Sequence, residues 1–184
     1  MTKYFGLRID ENLDLVVPEL SMAEEVFRLV DSDRDHLRTF LSFVDRSVDV
    51  TSQVNYFKMK MTGATNGTDK LFFIASNNKI IGCIDLHHID SHTKKAEIGY
   101  WIHSSYSGQN IISKAVKRLC TYSFEVLELN KLSIFADVEN IASNKVAIKN
   151  GFKLVGVKVQ DEVIHDQYRD MNEPELFILL NFPY

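Results

Sequence analysis

The stretch AEIGYWIHSSYSGQNIISKAVKRLCTYSFE, Ala96 to Glu125, decides how this chain is read. It opens as a strand, passes through a small polar loop and continues as a helix. Ile111, Ala115, Val116, Leu119 and Cys120 recur at helical spacing and form the buried stripe. Between Ser105 and Phe124 there is no Asp or Glu. A helix N-terminus carries roughly half a positive charge and favours carboxylates in its first turn. Here the turn offers Ser107, Gly108, Gln109 and Asn110, with Lys114, Lys117 and Arg118 following. A strand, a short Gly loop and a helix start make an anion site, because unpaired backbone N–H groups point outward. Gly108 lets the backbone approach a ligand, and Asn110 tolerates a positive φ. A diphosphate would supply the missing charge. The same cluster also reads as a plain capped turn. It is not a Walker loop, since no G-x-x-x-x-G-K-[ST] is present.

Upstream, FGLRIDENLDLVVP reads as two short strands about a turn, ending at Pro18. ELSMAEEVFRLVDSD reads as a helix with Ser21 as N-cap and Glu24 completing a capping box. RDHLRTFLSFV reads as a second short helix, and TSQVNYFKMKM as a third, followed by a loop bounded by Gly63 and Gly67. LFFIAS, IIGCIDLHHI and AEIGYWIH are strands joined by tight turns. Downstream, KLSIFADV is a nearly continuous apolar strand, which implies burial on both faces. ASNKVAIKNGF is a short helix stopped by Gly151. KLVGVKV and ELFILLNF are the last strands. This order implies a mixed α/β sheet with helices on both faces.

The 184 residues fit one domain, residues 1–184, with a full-sized core. A net charge of −4 does not favour general nucleic-acid binding. Cys83 and Cys120 match no metal or redox spacing and read as reduced, which fits a cytoplasmic protein. The start carries early charges and does not read as a secretory signal. No apolar run approaches the roughly 20 residues needed to span a membrane.

AEIGYWIHSSYSGQNIISKAVKRLCTYSFE followed by ADVENIASNKVAIKNGFKLVG strongly resembles the GNAT acetyltransferases. The likeness covers residues 8–180 in element order and is most specific from Glu97 to Gly156. It is closest to their RimJ/RimL-type branch, which acetylates the N-terminal amines of ribosomal proteins and, in relatives, other amines. The resemblance implies a mostly antiparallel sheet of about seven strands, splayed in the middle, and acetyl-CoA as acyl donor. It places the pyrophosphate on the amides of Ser107, Gly108, Gln109, Asn110 and Ile111. The family loop reads [Q/R]-x-x-G-x-[G/A]; the matching positions here are Ser107, Asn110 and Ile112, and all three depart. It places the pantetheine arm along Tyr100, Trp101, Ile102 and His103, with Asn140 in contact with it.

Amine acetylation needs a proton acceptor for the ammonium and a proton donor for the leaving thiolate. Glu97 faces the same side as Gly99 and Trp101 by strand alternation. Burial would raise its pKa and suit it to act as base; the plain alternative is a rim carboxylate paired with Lys94 or Lys95. The resemblance assigns Glu97 as the base and Ser143 as the acid. From the residues alone, Ser143 is a helix cap and Asn140 a turn residue. Many GNAT enzymes carry a Tyr four residues before the GF pair, and here that position is Ala147. Tyr168 is a second candidate acid, or a loop anchor.

His87 and His88 are adjacent, so on a regular strand they point to opposite faces and cannot chelate one ion without a bulge. His92 and His103 lack supporting Cys or carboxylates, and no metal is expected. One of His87 and His88 is expected to line the acceptor cleft. QDEVIHDQYRDMNEPE carries six acids against Arg169 and reads as a solvated loop near the acceptor entrance, drawing in a cationic amine. The acceptor is expected to be a protein N-terminus or a small amine; a non-catalytic acyl-CoA-binding module is the alternative of another class. The apolar ELFILLNFPY tail makes a homodimer a further expectation.

Overall fold

The structure is a computed structural model, and it describes residues 4–178. One nine-stranded sheet runs through them in the order β1-β2-β3-β4-β5-β6-β9-β7, with β8 paired to β9. The strands are β1 (Gly6–Arg8), β2 (Leu13–Val16), β3 (Lys70–Ser76), β4 (Lys79–Asp90), β5 (Lys95–Ile102), β6 (Lys131–Ser133), β7 (Ala136–Asp137), β8 (Lys153–Ile164) and β9 (Gln167–Phe177). All pairings are antiparallel except β5 with β6.

Helices cover both faces. On one, α1 (Ala23–Asp31), α2 (Arg34–Arg38) and α3 (Val50–Asn66) close a core of Val26, Val30, Leu37, Phe57 and Phe73. On the other, α4 (Ile111–Glu125) and α5 (Ile141–Lys149) pack Ala115, Val116, Leu119 and Ala147 over Phe72, Ile84, Ile98 and Leu132. The expected stripe of α4 is buried at all five positions.

The parallel pairing creates the feature that matters. Lys95, Ala96 and Glu97 pair with Lys131, Leu132 and Ser133, and the register stops there. Ile134 donates its amide to Pro174 instead, and β7 pairs only with β9. The strand expected over KLSIFADV is therefore two short pieces. From Ile98 onward β5 keeps β4 on one edge and opens a wedge on the other.

Several local expectations are corrected. Ser21 is not a cap: it lies in a 3-10 turn, Leu20–Met22, and its hydroxyl donates to Glu19. The second helix ends at Arg38, and Ser42–Arg46 forms a separate 3-10 segment. α3 runs through Gly63 to Asn66, stopped by Gly67 at φ 78. Gly63 is needed inside it, because a Cβ there would lie 2.2 Å from the Asp69 carboxylate. The acidic stretch expected to be a loop forms the far halves of β8 and β9. Asp161, Glu162 and Asp166 sit exposed near its turn, where strand pairing rather than burial orders the chain, whereas Glu175 is buried against Lys131. The tail proposed for dimer contact falls beyond Ile178 for residues 179–184, outside the described residues. No helix among the described residues is long and apolar enough to cross a membrane.

Candidate active site

A cleft of 880 Å³ opens where β5 and β7 part. Its walls include Ile98–Ile102, Ser107, Gly108, Asn110–Ser113, Ile134–Asp137, Asn140–Ser143, Lys145 and Lys149. At its outer end lies the expected anion loop. Gly108 has φ 75 and Asn110 has φ 62, both left-handed. An added Cβ on Gly108 would meet nothing within 4 Å, so the glycine serves backbone conformation and exposure of its amide. Asn110 makes no side-chain cap, and the first turn of α4 holds no acid. The first turn of α4 closes with the Lys114 amide donating to the Asn110 carbonyl, and among the described residues no backbone acceptor meets the amides from Gly108 to Ser113. Apart from Gln109, the residues that carry these amides line one end of the cleft, where the helix dipole favours an anion. The loop is anchored from behind: Asp33 accepts from the Ser104 amide and hydroxyl, each at 2.6 Å.

Two cations that the sequence reading missed flank this end. Lys145 and Lys149 line the cleft from α5, and Lys149 Nζ donates to Asn110 Oδ1 at 2.7 Å. Their i, i+4 spacing in ASNKVAIKNGF was the available signal.

Of the expected cofactor contacts, Tyr100, Trp101, Ile102, Ser107, Gly108, Asn110, Ile111 and Asn140 line the cleft, whereas His103 and Gln109 do not. The His103 amide donates to Ile81, and its ring caps the turn by accepting from the Ser105 amide. The Gln109 side chain donates to the Ser105 carbonyl. The capping roles of Asn140 and Ser143 are reversed from expectation: Asn140 is the N-cap of α5 and accepts from the Ser143 amide. The Ser143 hydroxyl is thereby left for Tyr100, whose Oη lies 2.8 Å from Ser143 Oγ. Burial pushes the Tyr100 phenol up to about 12, with the Ser143 bond working the other way. Ala147 is fully buried, so no hydroxyl comes from that position. Tyr168 sits exposed on the β8–β9 hairpin, away from the cleft.

A second cavity, of 510 Å³, shares Gly99, Tyr100, Trp101 and Leu41 with the first. It is lined by Phe43, Arg46, Ser47, Ser52, Gln53, Asn55, Tyr56, Cys83 and Asp85. Asp85, not Glu97, is the carboxylate facing this space. Asp85 Oδ2 lies 2.7 Å from Lys60 Nζ, and its Oδ1 lies 3.3 Å from His87 Nδ1. Burial opposes its ionisation, but His87 and Lys60 outweigh burial and hold its pKa below the usual value.

Glu97 sits one step behind. His87 Nε2 is 3.4 Å from Glu97 Oε2, and His88 Nδ1 is 3.2 Å from Glu97 Oε1. The bond to His87 dominates over partial burial and lowers the Glu97 pKa, opposite to the rise expected from burial. Its partners are histidines, not Lys94 or Lys95. Burial of His87 would lower its pKa, but bonds to Asp85 and Glu97 raise it to about 9. Neither His87 nor His88 lines either cavity, contrary to expectation. Gly99 makes room for this row: a Cβ there would lie 2.8 Å from Asp85 Oδ1 and 3.2 Å from His87 Cε1.

The two cysteines are free and buried. Burial, aided by Asp85, raises the Cys83 thiol well above its ordinary value, and burial pushes Cys120 up to about 12. Neither is an activated nucleophile.

Comparison with known proteins agrees with this geometry. The family model described as Acetyltransferase (GNAT) domain matches residues 12–153. The ribosomal-protein-serine acetyltransferase of Escherichia coli (strain K12) is 32% identical over 169 residues, covering 90% of this chain and 93% of that protein. RimL, a ribosomal L7/L12 alpha-N-protein acetyltransferase solved with coenzyme A, superposes with a TM-score of 0.91 at 26% identity, covering 94% and 97%. The microcin C7 self-immunity acetyltransferase MccE, solved with acetyl-CoA and AMP, also gives 0.91, at 25% identity and covering 94% and 96%. With its sheet, wedge and helix-start loop all in place, this chain belongs to the GNAT acetyltransferases.

Proposed function

We propose that this enzyme moves the acetyl group of acetyl-CoA to a primary amine, specifically the α-amine of a protein N-terminus, by direct attack. The observation that carries the reading is the meeting of two cavities at Gly99, Tyr100 and Trp101. One has the amides, lysines and open strand edge that suit a nucleotide thioester. The other is smaller, has a carboxylate in its wall, and is lined by Ser47, Ser52, Gln53 and Asn55, which suit a short peptide end. Relatives support the donor: RimL and MccE were solved with coenzyme A and acetyl-CoA respectively.

Amides from Gly108 to Ser113 hold the pyrophosphate, with Lys145 and Lys149 beside it. The free edge of β5 at Tyr100–Ile102 orients the pantetheine arm. The acetyl group then arrives at the junction of the cavities, near Ser143. Asp85 attracts the incoming ammonium. An α-amine has a pKa of roughly 7.7–8.0, so a large fraction is already neutral near pH 8 and little base strength is required. A lysine-like amine near 10.4 would demand more. Glu97 acts through His87, keeping Asp85 ionised and oriented, and is a positioning residue rather than the direct base. As the C–N bond forms and the C–S bond breaks, Ser143, backed by Tyr100, passes its proton to the departing sulfur and regains one from the nitrogen, which sheds a proton on becoming the amide. The buried, protonated Cys83 and Cys120 argue against an acyl-enzyme.

Calorimetry with acetyl-CoA, followed by release of free CoA thiol on adding amines, tests the reading. A peptide with a free N-terminal serine is expected to release thiol, and the same peptide blocked at its N-terminus is not. Turnover with small amines alone would transfer the assignment to that acceptor class. Donor binding without turnover on any amine would leave a non-catalytic module.

The acidic hairpin enters here as well. His165 at its tip lies 2.7 Å from the Arg38 carbonyl and 3.7 Å from Asp45, beside the segment that walls the second cavity. Arg169 is not free to neutralise it, being held by Asp137 at 2.6 Å and by Glu139. Neutralising Asp161, Glu162 and Asp166 together is expected to raise KM for a cationic acceptor several-fold at low salt, with the effect fading as salt screens it. An unchanged KM at low salt would remove the hairpin from acceptor capture.

A further inference from the structure

We infer that His87, His88 and Glu97 form a binding site for one divalent transition-metal ion, of which Zn²⁺ is the probe of choice. Adjacent residues on a regular strand point to opposite faces. Here the β4–β5 register breaks between His87 and Asp90, and His88 takes φ 50. That bulge turns both rings to the same carboxylate, with their centroids 5.0 Å apart. A left-handed φ is strained for a non-glycine residue and persists only where the surroundings fix it.

The spacing suits an ion. One ligand atom from each of the three residues falls within 4.8 Å of the others. Tetrahedral zinc bonds of about 2.0–2.1 Å put neighbouring ligand atoms roughly 3.3 Å apart. His87 Nε2 lies 3.4 Å from Glu97 Oε2 and His88 Nδ1 lies 3.2 Å from Glu97 Oε1, so each ring already meets one oxygen of the carboxylate, and side-chain rotation within the 4.8 Å cluster brings the three ligand atoms onto one ion. Two imidazoles and one carboxylate favour zinc, cobalt or nickel over magnesium or calcium, which prefer oxygen.

The surroundings also match. Metal-binding histidines usually give their other N–H to a carboxylate, which fixes the tautomer. His87 Nδ1 already faces Asp85 Oδ1, leaving Nε2 for the ion. Asp85 is braced by Lys60, which also holds Asp69 at 2.6 Å. Asp69, Asp85 and Glu97 set three carboxylates against the one ammonium of Lys60, a surplus that favours a cation. His88 is largely exposed, so an entry path exists and a fourth position stays open to water.

The site stands apart from both cavities and does not rest on the acceptor or donor assigned above. Bound there, an ion would take up Glu97 and His87 and disturb the row that orients Asp85, making the site inhibitory. The test uses full-length protein freed of any affinity tag and stripped with chelator. Titration with Co²⁺ is expected to give visible bands of tetrahedral intensity saturating at one ion per chain, and Zn²⁺ to displace them. His88→Ala is expected to abolish the bands while circular dichroism and acetyl-CoA affinity by calorimetry stay unchanged. Asp85→Asn, if folded, is expected to weaken Co²⁺ roughly 10–100-fold without removing a ligand. No saturable binding by wild type, or binding that His88→Ala retains, would overturn the site whatever the enzyme's activity proves to be.

Discussion

Replacing Ser143 with Ala is expected to lower kcat roughly 100-fold while leaving acetyl-CoA affinity within a few-fold of wild type. General acid catalysis contributes about 10²–10⁴-fold, and a thiolate is a good leaving group, so the low end applies. Ser143 alone is a weak acid. Its hydroxyl, however, is backed by Tyr100 Oη at 2.8 Å, and Tyr100 also reaches the Ser143 carbonyl at 3.3 Å. When the phenol donates its one proton to Ser143 Oγ, the serine proton is free to point into the cleft. Tyr100→Phe removes that support without emptying the core position and is expected to cost less, on the order of 10-fold. The two act as one unit, so the double variant is expected to be no slower than Ser143→Ala alone. Steady-state kinetics with calorimetry on all three variants checks this. Additive losses, or loss of donor affinity in step with kcat, would make both residues parts of the binding wall only.

Lys60→Met is expected to cost about 3–5 kcal/mol of stability at neutral pH, the usual effect of removing one partner from a buried ion pair. Lys60 and Asp85 are each 8% exposed, and Lys60 also carries Asp69. Burial would lower the Lys60 pKa, but the two carboxylates reverse this and raise it. Without the lysine, Asp85 keeps its desolvation cost and only His87 opposes it. The pH dependence follows from the sign of each shift. In wild type the depressed pKa of Asp85 gives stability present above the unfolded value near 3.9 and lost as pH falls through the lower folded value. In the variant the folded pKa rises, so acidification relieves the defect. Urea unfolding between pH 8 and pH 5 is therefore expected to show the gap to wild type narrowing as pH falls. A constant gap would trace the loss to packing around the lysine stem instead.

The fold was legible where side-chain pattern and backbone need coincide. Apolar strands at LFFIAS and IIGCIDLHHI and the stripe from Ile111 to Cys120 all read correctly, because burial writes directly into composition. The splay was legible only through resemblance, since the break after Ser133 depends on where Pro174 meets Ile134. The long β8–β9 hairpin was hidden by acids such as Asp161 and Glu162, which sit on an exposed strand segment held by main-chain pairing. The histidines were misjudged because a one-residue bulge reverses alternation, and no residue type announces it. For Glu97, alternation gives the face, and the role of base comes from the resemblance. Its two histidine partners, and the seat of Asp85 nearer the cavity, depend on the register of β4 against β5.

The central claim is that main-chain amides from Gly108 to Ser113 bind a diphosphate, though Ser107, Asn110 and Ile112 depart from the family loop. A crystal structure with acetyl-CoA measures this directly. Pyrophosphate oxygens within hydrogen-bond distance of these amides, and the thioester at the junction beside Ser143, are the predicted result. Phosphates bound elsewhere, with the turn before Ile111 closed by its own side chains, would contradict it.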